Sequence, residues 1–231
     1  MKTLGMIGGV GPESTIDYYG SIIARYRKAK ADASYPQFVI NSIDLNKGRS
    51  LIEVGNLTGL IEYLVHELEK LARAGAQFGL IAANTPHLVF DELQQVSPIP
   101  LISIVEATAK VAQRLGLKRL GLFATTFTIK AGFFSKTFSR YGIDVVNPEP
   151  NDQEFIHDKY MNELVEGVFL DETRDGLLAI VDKMARDQQV DGIVLGGTEL
   201  PLILRDETHN GVPLLNTTKI HVEAAVAEML S

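Results

Sequence analysis

Residues 2–7 read KTLGMI, and residues 118–123, 116 positions later, read KRLGLF. Each is an apolar run on consecutive positions, the pattern of a parallel strand covered on both faces. The likeness extends outward from both. ARAGAQFG at 72–79 matches ARDQQVDG at 185–192 with an offset of 113, and the same offset pairs Thr85 with Thr198 and Pro100-Leu101 with Pro213-Leu214. Each copy closes on an Ala-rich helical stretch, EATAKVAQRLG at 106–116 or HVEAAVAEMLS at 221–231. Any two βα units look broadly alike, but matches in one order at a nearly constant offset point to duplication. The chain therefore reads as two similar halves, about 1–116 and 117–231. With the closing helices exchanged, the domains become 1–102 plus about 217–231, and 103–216.

Between and beyond these runs the pattern alternates. Strands are expected at 3–8, 37–43, 78–83, 100–103, 119–124, 143–146, 190–195 and 212–215. Helical periodicity fills roughly 13–29, 56–74, 104–115, 130–140, 154–167, 172–188 and 217–230. Alternation of this kind predicts an α/β fold with parallel sheets. Ligands of open α/β sheets bind beyond the C-terminal strand ends, so those loops are the place to look for chemistry.

Composition narrows the chemistry. The 231 residues carry 22 Lys+Arg against 29 Asp+Glu, a net charge of −7, which argues against nucleic acid as a partner. There are no cysteines, which excludes disulfides, thiolate metal sites and thiol catalysis. The start of the chain is broken by glycines at once, unlike a signal peptide, and no apolar run approaches the ~20 residues of a membrane span. The expectation is a soluble, cytoplasmic protein with no membrane partner.

Four strand-end loops stand out. In GGVGPEST (8–15) the position of a third fingerprint glycine is Ser14, so a dinucleotide site rests on an incomplete pattern. What survives is a glycine turn into a helix N-terminus, fit for an anion or simply for a tight turn. Ala83-Asn84-Thr85-Pro86-His87 places an amide, a hydroxyl and a titratable imidazole after a strand. Ala124-Thr125-Thr126-Phe127-Thr128 offers three hydroxyls to a carboxylate or to a helix cap. Gly196-Gly197-Thr198-Glu199 pairs open backbone with a hydroxyl and an acid, although acids also favour first helical turns. Lys47, Arg49 and the His157-Asp158-Lys159 run are charged candidates that solvation alone would explain, and Asn216-Thr217-Thr218 reads as a helix cap.

Taken in order, GGVGPESTIDYY (8–19), ANTPH (83–87), ATTFT (124–128), GGTEL (196–200) and NTTKIHVEAA (216–225) resemble the aspartate/glutamate racemase superfamily over the whole chain, in particular its aspartate-type amino-acid racemases. The resemblance implies two Rossmann-like domains related by pseudo-twofold symmetry, a substrate cleft between them, no cofactor, no metal and a homodimer. It implies a small acidic amino acid or dicarboxylate as ligand. Carboxylate contacts would come from Asn84, Thr85, Thr125, Thr126, Thr128 and Thr198, with the amides of Gly9, Val10 and Gly197, and Arg49 or Lys159 would meet the distal carboxylate. It also implies one thiol on each face of the substrate, at the positions of Ala83 and Gly197 here. A methyl and a hydrogen carry no proton, so His87 and Glu199 are the nearby titratable substitutes. Asn216 stands where relatives often have an acid. Two readings therefore stay open: a cofactor-independent racemase working without thiols, and a catalytically silent protein that binds a small carboxylate.

Overall fold

The structure, a computed structural model, describes residues 1–30, 32 and 34–231. It divides into two compact units, Met1–Ile104 with His221–Ser231, and Val105–Ile220. The first unit runs β1 (Leu4–Gly8), α1 (Pro12–Ala29), β2 (Phe38–Ser42), α2 (Leu45–Glu53), α3 (Leu57–Arg73) and β3 (Phe78–Ile81). A 3₁₀ turn, Thr85–Val89, then leads into α4 (Phe90–Val96). Its sheet is parallel in the order β2-β1-β3, with Leu4 opposite both Phe38 and Phe78.

The second unit follows α5 (Ile104–Arg114) with β4 (Arg119–Phe123), α6 (Thr126–Ala131), α7 (Phe133–Ser139), β5 (Asp144–Val146) and α8 (Pro150–Asn162). Then come α9 (Asp171–Asp187), β6 (Gly192–Leu195), α10 (Leu200–Ile203), β7 (Thr208–His209), β8 (Val212–Asn216) and α11 (Thr217–Leu230). The strand order is β5-β4-β6-β8-β7, parallel except at the β7–β8 edge. The first three strands of each unit thus take the same order, as the internal repeat requires. Both units are α/β.

Buried strands explain the consecutive apolar runs. In the first unit Leu4, Met6, Phe78 and Leu80 pack against Tyr18, Ile22 and Tyr26 of α1 and against Val222, Val226 and Met229 of α11. Ile7 and Ile81 face the other way, onto Leu60, Leu64, Leu68 and Leu71 of α3. In the second unit Phe123, Ile193 and Leu195 pack under Ile156 and Tyr160 of α8 and Leu177, Val181 and Met184 of α9. Each fully buried side chain of this kind contributes about 1.5–3 kcal/mol.

Some expected elements differ. Residues 100–103 give a single parallel bridge, Leu101 to Gly79, instead of a strand. The helix expected at 130–140 is two helices, because Gly132 takes the left-handed conformation (φ 67°) that stops α6. Helix α2 was not expected. It is capped by the Asp44 carboxylate, which accepts the Asn46 N–H at 2.9 Å. No helix among the described residues is long and apolar enough to cross a membrane.

Candidate active site

At the end of β1 the chain turns through Gly9, which sits at φ 78°. A Cβ there would lie 2.5 Å from the Ile43 carbonyl oxygen, so only glycine fits. The Gly9 N–H is not open to a ligand, contrary to the sequence expectation, because it donates to Thr15 Oγ1 at 2.9 Å. That hydroxyl in turn donates to the Gly11 carbonyl at 3.0 Å. Val10 is half-buried against the α3 side of the core.

Past β3, the Ala83 methyl belongs to the apolar cluster of Ile81, Val89 and Leu93. Asn84 is buried and Thr85 is half-buried. His87 is buried, and its ring stacks on Phe90 with centroids 5.0 Å apart. Its Nδ1–H donates to the Ala83 carbonyl at 3.0 Å, and its Nε2 accepts the Ile104 N–H at 3.2 Å. Burial, with His221 nearby, pushes its pKa down to about 3. Both nitrogens are committed to backbone, so His87 braces this loop and does not have the free nitrogen that a base needs. Behind it, His221 Nδ1 accepts the Tyr18 hydroxyl at 2.8 Å and Nε2–H donates to the Ile102 carbonyl at 2.9 Å.

In the second unit Thr125 caps α6, its hydroxyl oxygen accepting the Thr128 N–H at 3.4 Å. Thr125 and Thr128 are buried, and Thr126, half-buried, donates its N–H to His157 Nδ1 at 3.4 Å. After β6 the buried Thr198 hydroxyl donates to Glu199 Oε2 at 3.1 Å. The same oxygen accepts the hydroxyl of Tyr160, reaching down from α8. Gly197 makes this possible: a Cβ there would stand 2.3 Å from Tyr160 Cε2. Burial first, then the Glu199 carboxylate, raises the phenol's pKa well above its usual value.

The charged candidates sit on helices, each paired with an acid. Arg49 sits on α2, an exposed helix and not a loop, with its Nε 2.8 Å from Glu53. Lys159 Nζ lies 2.5 Å from Glu163, a contact that holds the lysine pKa above and the glutamate pKa below their usual values. Asn216 caps α11 by accepting the Lys219 N–H at 2.8 Å. Among the described residues no cluster of three or more His, Cys, Asp or Glu could hold a metal ion.

A family model described as Asp/Glu/Hydantoin racemase matches residues 7–225. The chain belongs to the Asp/Glu/hydantoin racemase family. As a member it is similar to the broad specificity amino-acid racemase RacX of Bacillus subtilis, 23% identical over 99% of this chain and 98% of RacX. A solved aspartate racemase homologue from Pyrococcus horikoshii is 31% identical, with a TM-score of 0.86 and full coverage of both chains. A solved protein from Yersinia pestis, provisionally assigned as an Asp/Glu racemase, is 30% identical with a TM-score of 0.89, again over both full chains. By family, then, this racemase-family chain falls among the isomerases.

Tyr160 is the residue that sequence reasoning missed. Its spacing from Ile156 and Leu164 is that of a buried helical stripe, and it reads as core. A glycine at 197, just past a buried strand, was the available signal that something large approaches there. Tyr18 and His221 escaped notice for the same reason, since a buried tyrosine or histidine in an apolar stripe looks structural.

Proposed function

We propose that this family member is a cofactor-independent amino-acid racemase, transferring a proton at the Cα of a small acidic amino acid. The observation that carries the reading is the buried polar group at the C-terminal ends of β4 and β6: Thr125, Thr128, Thr198 and Glu199. Buried hydroxyls and a carboxylate collected at strand ends suit an amino-acid ligand better than they suit a core. The amide of Gly197 joins that group in the second unit, and Asn84, Thr85 and the amide of Val10 are the proposed carboxylate contacts of the first. Arg49 and Lys159 are the proposed partners of a distal carboxylate. Their present pairs are i,i+4 contacts, which stabilise little, so a substrate carboxylate can displace them.

Proton NMR of L-aspartate and L-glutamate with the protein in D2O tests the reading. Loss of the Cα signal above the protein-free control supports it. A second reading, carboxylate binding without turnover, draws on Ala83 and Gly197, which place a methyl and a hydrogen where the family resemblance implies thiols. Calorimetric binding with no exchange would favour that second reading and sink the first.

A further inference from the structure

The proposed reaction needs a group that holds a proton and can pass it on. After β3, His87 has both nitrogens bonded to backbone, and on α8 Lys159 is engaged with Glu163. Tyr160 and Glu199 differ from both. They form a hydrogen-bonded phenol–carboxylate pair, both are buried, and Thr198 donates a second hydrogen bond to the shared oxygen Oε2. The phenol oxygen lies 2.9 Å from where a Cβ on residue 197 would be, in the space that the glycine leaves beside the strand end. Pairing the two there lowers the cost of burying each, and it creates a relay with a proton on one member and an acceptor on the other.

Resting on the racemase reading, we propose that Tyr160, backed by Glu199, is the proton-carrying group that this unit supplies to the amino-acid Cα. The Cα–H bond breaks, its proton passes to Tyr160 Oη, and the original Oη proton passes to Glu199 Oε2. The electron pair stays on Cα, delocalised into the substrate carboxylate. No oxidant or reductant enters, and reversal restores both residues. Burial raises the phenol's pKa further, so Tyr160 rests protonated at neutral pH. Isotope exchange appears when the pair passes the substrate proton to solvent before reversal. A carrier on one face returns the proton to that face. Inversion then depends on water, and exchange outruns racemisation.

The experiment follows Cα-proton loss from L- and D-aspartate separately in D2O, with chiral analysis of the product and calorimetric affinity for each variant. The expected wild-type result is faster exchange of one enantiomer, with retention exceeding inversion. Tyr160→Phe keeps the ring and removes the carrier, so exchange should fall about 100-fold or more while affinity and circular dichroism stay unchanged. Glu199→Gln keeps the volume and an acceptor oxygen but takes no proton, and should give the same loss. Either variant exchanging at the wild-type rate overturns the relay and leaves the racemase reading standing. Wild-type protein that binds aspartate and exchanges neither enantiomer overturns both.

Discussion

A Cβ on Gly197 would stand 2.3 Å from Cε2 of Tyr160 and 2.8 Å from Cζ, inside any real van der Waals contact. The glycine and the ring are a fitted pair, and the ring sits rigidly in a core that includes Ile156, Leu177 and Leu200. Gly197→Ala should therefore destabilise by about 1–3 kcal/mol, the usual range for overpacking. The same change made in a Tyr160→Ala background should cost less, with a coupling of about 1 kcal/mol or more in a double-mutant cycle. Urea denaturation of the four proteins measures it, and additive effects would show that the contact is not energetic.

Acid should unfold the first unit through its two buried imidazoles. His87 and His221 have folded pKa values of about 3 and about 4, against 6.5 for a free histidine, burial being the main cause in both. The unfolded chain therefore takes up protons first as pH falls. Stability that is fully present above pH 6.5 is lost progressively down to about pH 4 for His221 and about pH 3 for His87. At pH 5 the loss is about 2 kcal/mol for each. Glu67, whose pKa is lowered, adds to it only further into acid. His221→Gln should start less stable at pH 7, without the Tyr18 acceptor in its proper place, and show a shallower decline between pH 7 and 5. An unchanged slope would mean that His221 charges in the folded state without cost.

The alternation of strands and helices was legible because burial on both faces writes itself into consecutive apolar positions, as in Leu4–Gly8 and Gly192–Leu195. The first three strands of each unit take one order, β2-β1-β3 and β5-β4-β6. Elements held by local hydrogen bonds were not. Helix α2 depends on the Asp44 cap, and the 3₁₀ turn at Thr85–Val89 depends on the His87 contacts. Loop residues such as Asn84, Thr198 and Glu199 were found by position after a strand. Which of them already have partners is tertiary information: Thr15 lies six residues from the Gly9 N–H it occupies, and Ile104 lies seventeen from the imidazole it binds.

The first loop should be intolerant of any side chain at its turn. Gly9 combines φ 78° with 2.5 Å and 2.6 Å approaches to Ile43 O and Ser42 Oγ. The left-handed backbone costs an alanine about 1 kcal/mol, and the clash with backbone adds to it, so Gly9→Ala should lose about 2–4 kcal/mol. Thr15→Val removes the acceptor for the Gly9 N–H and should cost about 1–2 kcal/mol through the same turn. Thermal denaturation checks both, and a Gly9→Ala protein as stable as wild type would show that the turn rearranges freely.

Charge selectivity separates the two cation candidates. Arg49 is exposed and its pair with Glu53 is solvent-screened, so Arg49→Met should leave stability within about 0.5 kcal/mol of wild type. Lys159 is more enclosed, and its partner Glu163 also accepts the Thr173 hydroxyl, so Lys159→Met leaves that carboxylate with one partner fewer. The loss there should still be modest, because the pair is partly exposed. Ligand binding should respond differently from stability. The residue that meets the distal carboxylate should weaken L-aspartate binding about tenfold or more on conversion to Met, while L-alanine, lacking that group, binds as before. Lys159 is the expected position, since it is the more enclosed of the two cations. Calorimetry with both ligands on both variants decides it, and equal losses for aspartate and alanine would place neither cation at the side-chain carboxylate.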